Sequence, residues 1–431
     1  MVYIALIIGK LIAFVGQLLG RGSSLPGKVA LTIAPQLLKK FKQPDTVIFI
    51  TGTNGKTTVT HYIAEIFAAD HQRVITNAEG ANMMQGIATQ MIKYSPLNLD
   101  LSAFAIILEV DEGTLPPLMA QMTPTLLVMN NLFADQQDRF GSADDLMIYL
   151  NQMIPHLKKP RLLLNANDPR LVKIGNDHEN NAPLYYGIEA DDFGQPAHAA
   201  NCPICQKQLT YSAHYYEHIG IFHCQNDHFH TPTAHYLATA VNLTTRAFAM
   251  DGITYPIPQD NIYTAYNALA AASAARFFNI EPHIIQSGLK KDFAIKGRMD
   301  RIIVNEHEIF ANLAKNPAGF NQSIMAIKKQ INEPFNLLLA INTRPADGTS
   351  AKWLNDCELH LLNINSLQHV YITGEAHEEL KASLLAQGFK HQKITTLSAD
   401  AALEALTHAD EAAYLIANYT ALYELYALLE K

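Results

Sequence analysis

The stretch Thr51-Gly52-Thr53-Asn54-Gly55-Lys56-Thr57-Thr58 constrains this chain more than any other. It follows Thr46-Val47-Ile48-Phe49-Ile50, a short apolar, β-branched run that reads as a buried strand. It precedes Val59 to Ala69, where apolar residues recur at helical spacing. Strand, glycine-bearing loop and helix form the setting of a phosphate-binding loop. Glycines let backbone N–H groups close around phosphate oxygens, and the start of the helix adds a favourable dipole. Lys56 is placed to reach the β/γ-phosphates of a nucleotide, and the Thr57 hydroxyl to ligate Mg²⁺. Gly52, Thr53, Asn54, Gly55 and Thr58 complete the cradle. Ile50 stands where the strict pattern has a glycine, so the loop is a variant. A Gly-Lys-Thr is common by chance; the whole octapeptide after a strand is not.

Further strands follow the same logic. Val74 to Asn77 is one, and Gly80 to Gly86 turns into a helix. Phe104 to Val110 is a near-continuous apolar run ending in Glu109, Asp111 and Glu112. Thr125 to Met129 ends in Asn130-Asn131, and Arg161 to Leu164 ends in Asn165. Strands alternating with helices predict an α/β fold with a doubly wound, mainly parallel sheet. Ligands of such sheets sit beyond the carboxyl ends of the strands, where these polar residues gather.

Composition sets the limits. The chain has 431 residues, 48% of them hydrophobic and 17% charged, enough for two or three domains with sizeable cores. A net charge of −8 argues against general nucleic-acid binding. Residues 1–45 depart from that balance: Lys10, Arg21, Lys28, Lys39, Lys40 and Lys42 stand against Asp45 alone, +5 in all. Met1 to Gly20 is apolar, interrupted by Lys10 and Gln17, with no basic leader and no cleavage site of small residues. It reads first as a helix packed on the next domain, and second as a membrane-face contact helped by the basic balance. Gly20 to Gly27 reads as a loop, and Val29 to Phe41 as helix. Four cysteines make no disulfide framework, which predicts a reducing, cytoplasmic setting.

Residues 200–232 break the rhythm. Cys202-Pro203-Ile204-Cys205 is a knuckle, and Cys224 follows, but Asp227 stands where a second knuckle has its fourth cysteine. Either zinc is held by Cys202, Cys205, Cys224 and Asp227, with His223, His228 or His230 as alternative fourth ligands, or the insert is metal-free and holds its shape through Tyr211, Tyr215, Tyr216 and Phe222. The nucleotide domain resumes with the alanine-rich helix Tyr263 to Ala271. Lys296 to Asp300 marks a hinge; beyond it, 302–304, 309–312, 336–341, 370–373 and 413–417 read as strands of a smaller α/β domain. The predicted domains are a helical lead at 1–45, a central nucleotide domain at 46–300 carrying the insert, and a C-terminal α/β domain at 301–431.

Taken in order, these pieces resemble the Mur ligase superfamily and, within it, the MurT family. The resemblance is carried by Ser24-Leu25-Pro26-Gly27-Lys28, the loop TGTNGKTT, Gly80-Ala81-Asn82-Met83, Glu109-Val110-Asp111-Glu112, and Asn131 to Arg139. Leu164 to Pro169, the cysteine insert, Tyr266 to Ala270, Gly297-Arg298 and Leu313 to Asn321 extend it. It implies a Mur-ligase-like central ATP domain, and an ATP-dependent ligase that turns the D-glutamate carboxylate of lipid II into an acyl phosphate and amidates it. By that resemblance Lys56 and Arg298 hold the transferring phosphoryl, Thr57 and Glu109 hold Mg²⁺, Asn267 faces the nucleotide, and Lys315 closes over the reaction centre as the domains hinge at Gly297. The family takes ammonia from a GatD-type glutaminase partner in a heterodimer; Cys357, in Asn355-Asp356-Cys357-Glu358, lacks the glycines of a glutaminase elbow. The helix at 419–429 reads either as ordinary packing or as part of that interface.

The second domain departs from the family pattern. Thr343 and Ser350 replace two expected acids, while Asp347 and Trp353 remain. An acid here is thought to complete the partner's catalytic site, which makes Asp347 the candidate and points to altered coupling or a divergent paralogue. The rivals are an amino-acid-adding ligase of the Mur or folylpolyglutamate-synthase type, and a nucleotide-binding subunit with lost chemistry.

Overall fold

A computed structural model describes residues 1–18, 24–77, 81–133, 141–154, 160–193, 198–291, 298–304, 307–331, 333–344, 347–407 and 411–429, with backbone alone at 18 and 298–300. The chain divides into two compact units: Met1–Leu132 with Leu146–Asp292, and Phe133–Asp145 with Phe293–Lys431.

The first unit is built on strands β1 (Val47–Thr51), β2 (Val74–Thr76), β3 (Ala105–Glu109), β4 (Leu126–Met129), β5 (Arg161–Asn165) and β6 (Leu184–Ile188). A hairpin, β7 (Thr210–Tyr216) and β8 (Ile219–His223), precedes β9 (Tyr236–Asn242), β10 (Ala247–Met250) and β11 (Ile253–Pro256). Among the described residues the main sheet has nine strands in the order β11-β10-β9-β6-β5-β4-β1-β3-β2. Pairing is parallel from β2 through β9 and antiparallel at β9–β10–β11. β1, β3 and β4 are buried along their whole length, so their sequences run apolar without alternation. Each large side chain buried there, such as Phe49, stabilises the fold by roughly 1.5–3 kcal/mol. The helix Lys56–Ala69 packs on Ile262–Phe277 and Pro282–Leu289. Gly288 permits the second crossing, since a Cβ there would lie 2.6 Å from Ile66 Cα.

The lead is not a separate body but part of this unit. Helix Val2–Leu18 packs on Leu25–Ile33, and both pack on Met84–Tyr94. The second helix corrects the sequence reading twice. It begins inside the expected loop, because Pro26 sits in the first turn, where a missing N–H is harmless. Gly27 is needed for contact rather than flexibility: its Cβ would lie 1.9 Å from Gln85 O. The helix stops at Ala34, before Pro35, leaving only the 3₁₀ turn Leu38–Lys40 from the stretch read as helical to Phe41.

The second unit holds β12 (Arg298–Val304), β13 (His307–Leu313), β14 (Phe335–Ala340), β15 (Leu367–Thr373), β16 (Ile394–Thr396) and β17 (Ala412–Ala417). Their order is β12-β13-β17-β14-β15-β16, parallel except for the β12–β13 hairpin. Along β14 the side chains alternate between two cores: Leu337 and Leu339 in one, Leu338 and Ala340 in the other. The expected hinge is corrected in part. Arg298 to Asp300 already belong to β12, with an irregularity between Arg298 and Asp300, while Lys296 and Gly297 lie outside the described residues.

Candidate active site and metal centre

The octapeptide forms the turn from β1 into its helix. Gly52 and Gly55 take φ of +118° and +83°, a region that favours glycine. A Cβ on Gly55 would lie 2.3 Å from Asn267 Oδ1, which brings Asn267, from the alanine-rich helix, against the loop. The β4 end clamps the other side: Thr53 N–H donates to Asn131 O at 2.9 Å and Asn54 N–H to Asn131 Oδ1 at 2.9 Å. Val59 N–H makes the first intrahelical bond, to Gly55 O at 2.9 Å. The amides of Lys56, Thr57 and Thr58 therefore precede the hydrogen-bonded ladder, as an anion site at a helix start requires.

The loop's side chains meet the acids beyond β3. Lys56 Nζ is buried, donating to Gly52 O at 2.6 Å, Thr53 O at 3.3 Å and Glu112 Oε1 at 2.8 Å. Thr57 Oγ1 donates to Glu109 Oε2 at 2.8 Å, and Asn82 Nδ2 to Glu109 Oε1 at 2.8 Å. Asn77 fixes the Glu109 backbone in both directions, each bond 2.8 Å. Thr57 and Glu109 thus present paired hard oxygen donors, the set that Mg²⁺ prefers. Asp111 instead caps the following turn through Gly113 and Thr114 N–H.

Three candidates belong to the second unit. Arg298 opens β12, and its side chain is outside the description. Lys315 follows β13, half-buried, beside Asn316, whose Oδ1 caps the helix Pro317–Gln330 through Gly319 N–H at 2.8 Å. Asp347 is buried, and its carboxylate accepts from Thr420 N–H at 2.9 Å and from Thr420 Oγ1. Burial pushes the Asp347 carboxyl up. Around it, Thr343 N–H and Arg344 Nε reach Glu375, and Arg344 Nη1 reaches Glu424. Cys357 is a core residue.

In the insert, Cys202, Cys205, Cys224 and His228 offer ligand atoms within 4.8 Å of one another. His228 Nε2 lies 3.6 Å from both Cys202 and Cys224 Sγ, and Cys205 Sγ lies 3.5 Å from Cys224 Sγ. Bonds of roughly 2.0–2.3 Å to a tetrahedral zinc put ligand atoms roughly 3.5–3.8 Å apart, so the donor set fits that ion. The placing of Asp227 in the ligand set is corrected. Asp227 instead makes the turn, at φ +56° with its N–H on Cys224 O, and this turn delivers His228 one residue later. His223 bonds to Thr210, and His230 pairs with His223 across a bridge; neither joins the cluster. The tyrosines also matter: Tyr215 OH bonds to Ile188 O, and Tyr216 meets Tyr266 edge-on.

The insert is anchored where β5 ends. Asn167 Oδ1 accepts from Tyr266 OH at 2.9 Å and Ile188 N–H at 2.7 Å, and its backbone O from Gly220 N–H at 3.0 Å. Asp168 is fully buried, accepts from Leu132 N–H at 2.8 Å, caps the helix Pro169–Asp177, and lies 3.4 Å from His218 Nε2. Burial works to raise its pKa, but His218, Arg170 and the Leu132 amide outweigh it and hold the carboxyl below the usual range.

Residues 50–275 match the Mur ligase middle domain family, and residues 313–422 the MurT ligase C-terminal family. The chain is 33% identical to the lipid II isoglutaminyl synthase (glutamine-hydrolyzing) subunit MurT of Streptococcus pneumoniae, over 99% of its own length and 96% of that protein. The chain belongs to the MurT family. A second MurT, from Staphylococcus aureus, is 32% identical over 84% of the chain and 83% of that protein. The MurT chain also shares the Mur ligase fold: a pseudomurein peptide ligase type C from Methanothermus fervidus superposes with a TM-score of 0.68 at 24% identity, covering 92% of this chain and 80% of that one. Sequence reasoning missed Asn82 as the partner of Glu109 and Glu112 as the partner of Lys56. Both lie in stretches that carried the resemblance, which marked the segments but not the pairing.

Proposed function

We propose that this MurT-family chain is the ATP-dependent ligase subunit of a lipid II isoglutaminyl synthase. The terminal phosphoryl of ATP passes to the D-glutamate carboxylate of lipid II: a carboxylate O–P bond forms and the bond to ADP breaks. Ammonia then attacks the acyl carbon, C–N forms, C–O breaks, phosphate leaves and a proton is released. A carboxylate is a poor electrophile, so the protein's work is placement and charge neutralisation. The observation that carries the reading is the Lys56–Glu112 and Thr57–Glu109 cluster, in a chain that matches the Streptococcus pneumoniae MurT subunit over 99% of its length.

Gly52 to Thr58 would cradle the phosphates, with Asn267 flanking them. Lys56 would exchange its bond to Glu112 for the transferring phosphoryl, joined by Arg298. Thr57 and Glu109 would hold Mg²⁺, which supplies charge neutralisation at the phosphates. Lys315 would close over the acceptor as the second domain hinges near Gly297. Asp347, whose carboxylate accepts from Thr420 N–H, would be the acid that completes the partner's catalytic site. Cys202, Cys205, Cys224 and His228 would hold a structural zinc. Ammonia would come from a GatD-type glutaminase in a heterodimer. A lipid-linked acceptor would put the work at the inner face of the membrane.

The test combines the full chain with a purified glutaminase partner, ATP, amide-¹⁵N glutamine and lipid II. Amidated lipid II carrying ¹⁵N is expected by mass spectrometry. ATP consumption with an added amino acid but not with glutamine would point to the amino-acid-adding rival. ATP binding without turnover would point to lost chemistry.

A further inference from the structure

The first helix is packed along one face and apolar along the opposite, exposed face as well. Val2–Leu18 turns Ala5, Leu6 and Gly9 toward the domain; a Cβ on Gly9 would meet Ile92 at 3.1 Å and Ala30 at 3.4 Å. Its one cation also points inward: Lys10 Nζ donates to Ile92 O at 2.7 Å, and burial lowers its pKa. The outer stripe is Tyr3, Ile4, Ile7, Leu11, Phe14 and Val15, every one exposed, with Leu11 at 60% and Phe14 at 64%. These positions fall within one helical face at three- and four-residue spacing. Contiguous apolar surface of this kind marks a contact, not a solvated face.

We infer that this stripe seats the protein on an anionic phospholipid surface, lying in the headgroup region. Two observations select that occupant. The first is charge: the +5 of residues 1–45 is set against −13 over the rest of the chain, and Lys28, Lys39, Lys40 and Lys42 are all exposed. Lys28 is on the helix packed against the first, and Lys39 and Lys40 are on the 3₁₀ turn that follows it. Apolar insertion with flanking cations is the chemistry of interfacial helices. The second is length. Seventeen residues span about 26 Å, short of a hydrocarbon core of about 30 Å, and no described helix is long and apolar enough to cross a membrane. One face is already committed to protein, so the helix lies on the surface. The inference deepens the membrane-face reading above and rests on it, while the vesicle readout below is independent of turnover.

The full chain is centrifuged with vesicles of phosphatidylglycerol and phosphatidylcholine, and with phosphatidylcholine alone, all free of lipid II. The chain is expected to pellet with the anionic vesicles. L11E/F14E is expected to lower the bound fraction about tenfold or more, with an unfolding midpoint near that of the wild type, since both side chains face outward. K39Q/K40Q, which leaves the apolar stripe intact, is expected to weaken binding several-fold. Wild-type protein staying in the supernatant would overturn the inference, as would L11E/F14E pelleting equally. Equal binding to uncharged vesicles would overturn the choice of an anionic surface. A wild-type dimer made monomeric by L11E/F14E, without vesicle binding, would assign the stripe to a second copy. A chain that binds vesicles but amidates nothing would leave this inference standing and remove the ligase reading.

Discussion

The phosphate loop and the cysteine knuckle are both short turns that gather ligand atoms, and they differ in what holds them together. In the loop, protein satisfies protein: Lys56 on Glu112, Thr57 and Asn82 on Glu109, Asn54 on Asn131. Those partners come from three separate strand ends or turns, so the fold sets the geometry in advance. In the knuckle, the ligand atoms chiefly face one another, at 3.5–3.6 Å, and come from two turns only. Thiol contacts are weak, so the proposed zinc would supply most of the cohesion. The lesson is that the loop is preorganised by the fold, whereas the knuckle would be organised by the zinc proposed for it.

The strongest blow to that contrast is Lys56→Ala. Preorganisation predicts product formation down by about a thousandfold with circular dichroism unchanged. Activity near wild type would remove Lys56 from the chemistry. Gly55→Ala should weaken ATP binding by about a hundredfold in calorimetry, because it combines a left-handed φ with a Cβ 2.3 Å from Asn267 Oδ1. The knuckle answers to metal instead. Elemental analysis should find about one zinc per chain, and His228→Ala should lose it to chelator while Asp227→Ala keeps it. Equal retention by both variants would restore Asp227 as a ligand.

A finer test asks whether metal alone holds the hairpin. Asp168→Asn removes a buried carboxylate from His218 and should lower unfolding stability by about 3 kcal/mol, read by denaturant titration. The folded pKa of Asp168 lies below its unfolded value. Its contribution is therefore full above the ordinary carboxylate range and fades as pH falls through the folded pKa. Acid titration of wild type against Asp168→Asn should converge at low pH; parallel curves would mean that the pair does not titrate on unfolding.

How far the sequence could be read depended on burial and distance. β1, β3 and β4 were legible because strands covered on both faces carry uninterrupted apolar runs. β6 was not, because its buried run carries Tyr185, Tyr186 and Gly187 in place of branched aliphatics, and β9 to β11 were not, because Thr239 and Thr254 mix polar atoms into half-exposed strands. The loop residues were legible from adjacency, but the bond from Lys56 to Glu112 spans 56 residues and leaves no local pattern. Pro26-Gly27 misled because its purpose is a helix crossing at Gln85, invisible until the partner is in place. The fourth knuckle position stayed open between Asp227 and the nearby histidines, since only the left-handed turn at Asp227 brings His228 to the three thiols.

The placement of the insert has a consequence for how this protein is put together. Parallel neighbours need a long return connection, usually a helix. Between β6 and β9 that return is the β7–β8 hairpin with its knuckle, and the chain re-enters the sheet directly beside where it left. Strand order is therefore indifferent to what fills the excursion, but a plain linker in its place would strip Asn167, Asp168 and Tyr266 of the partners that the hairpin brings.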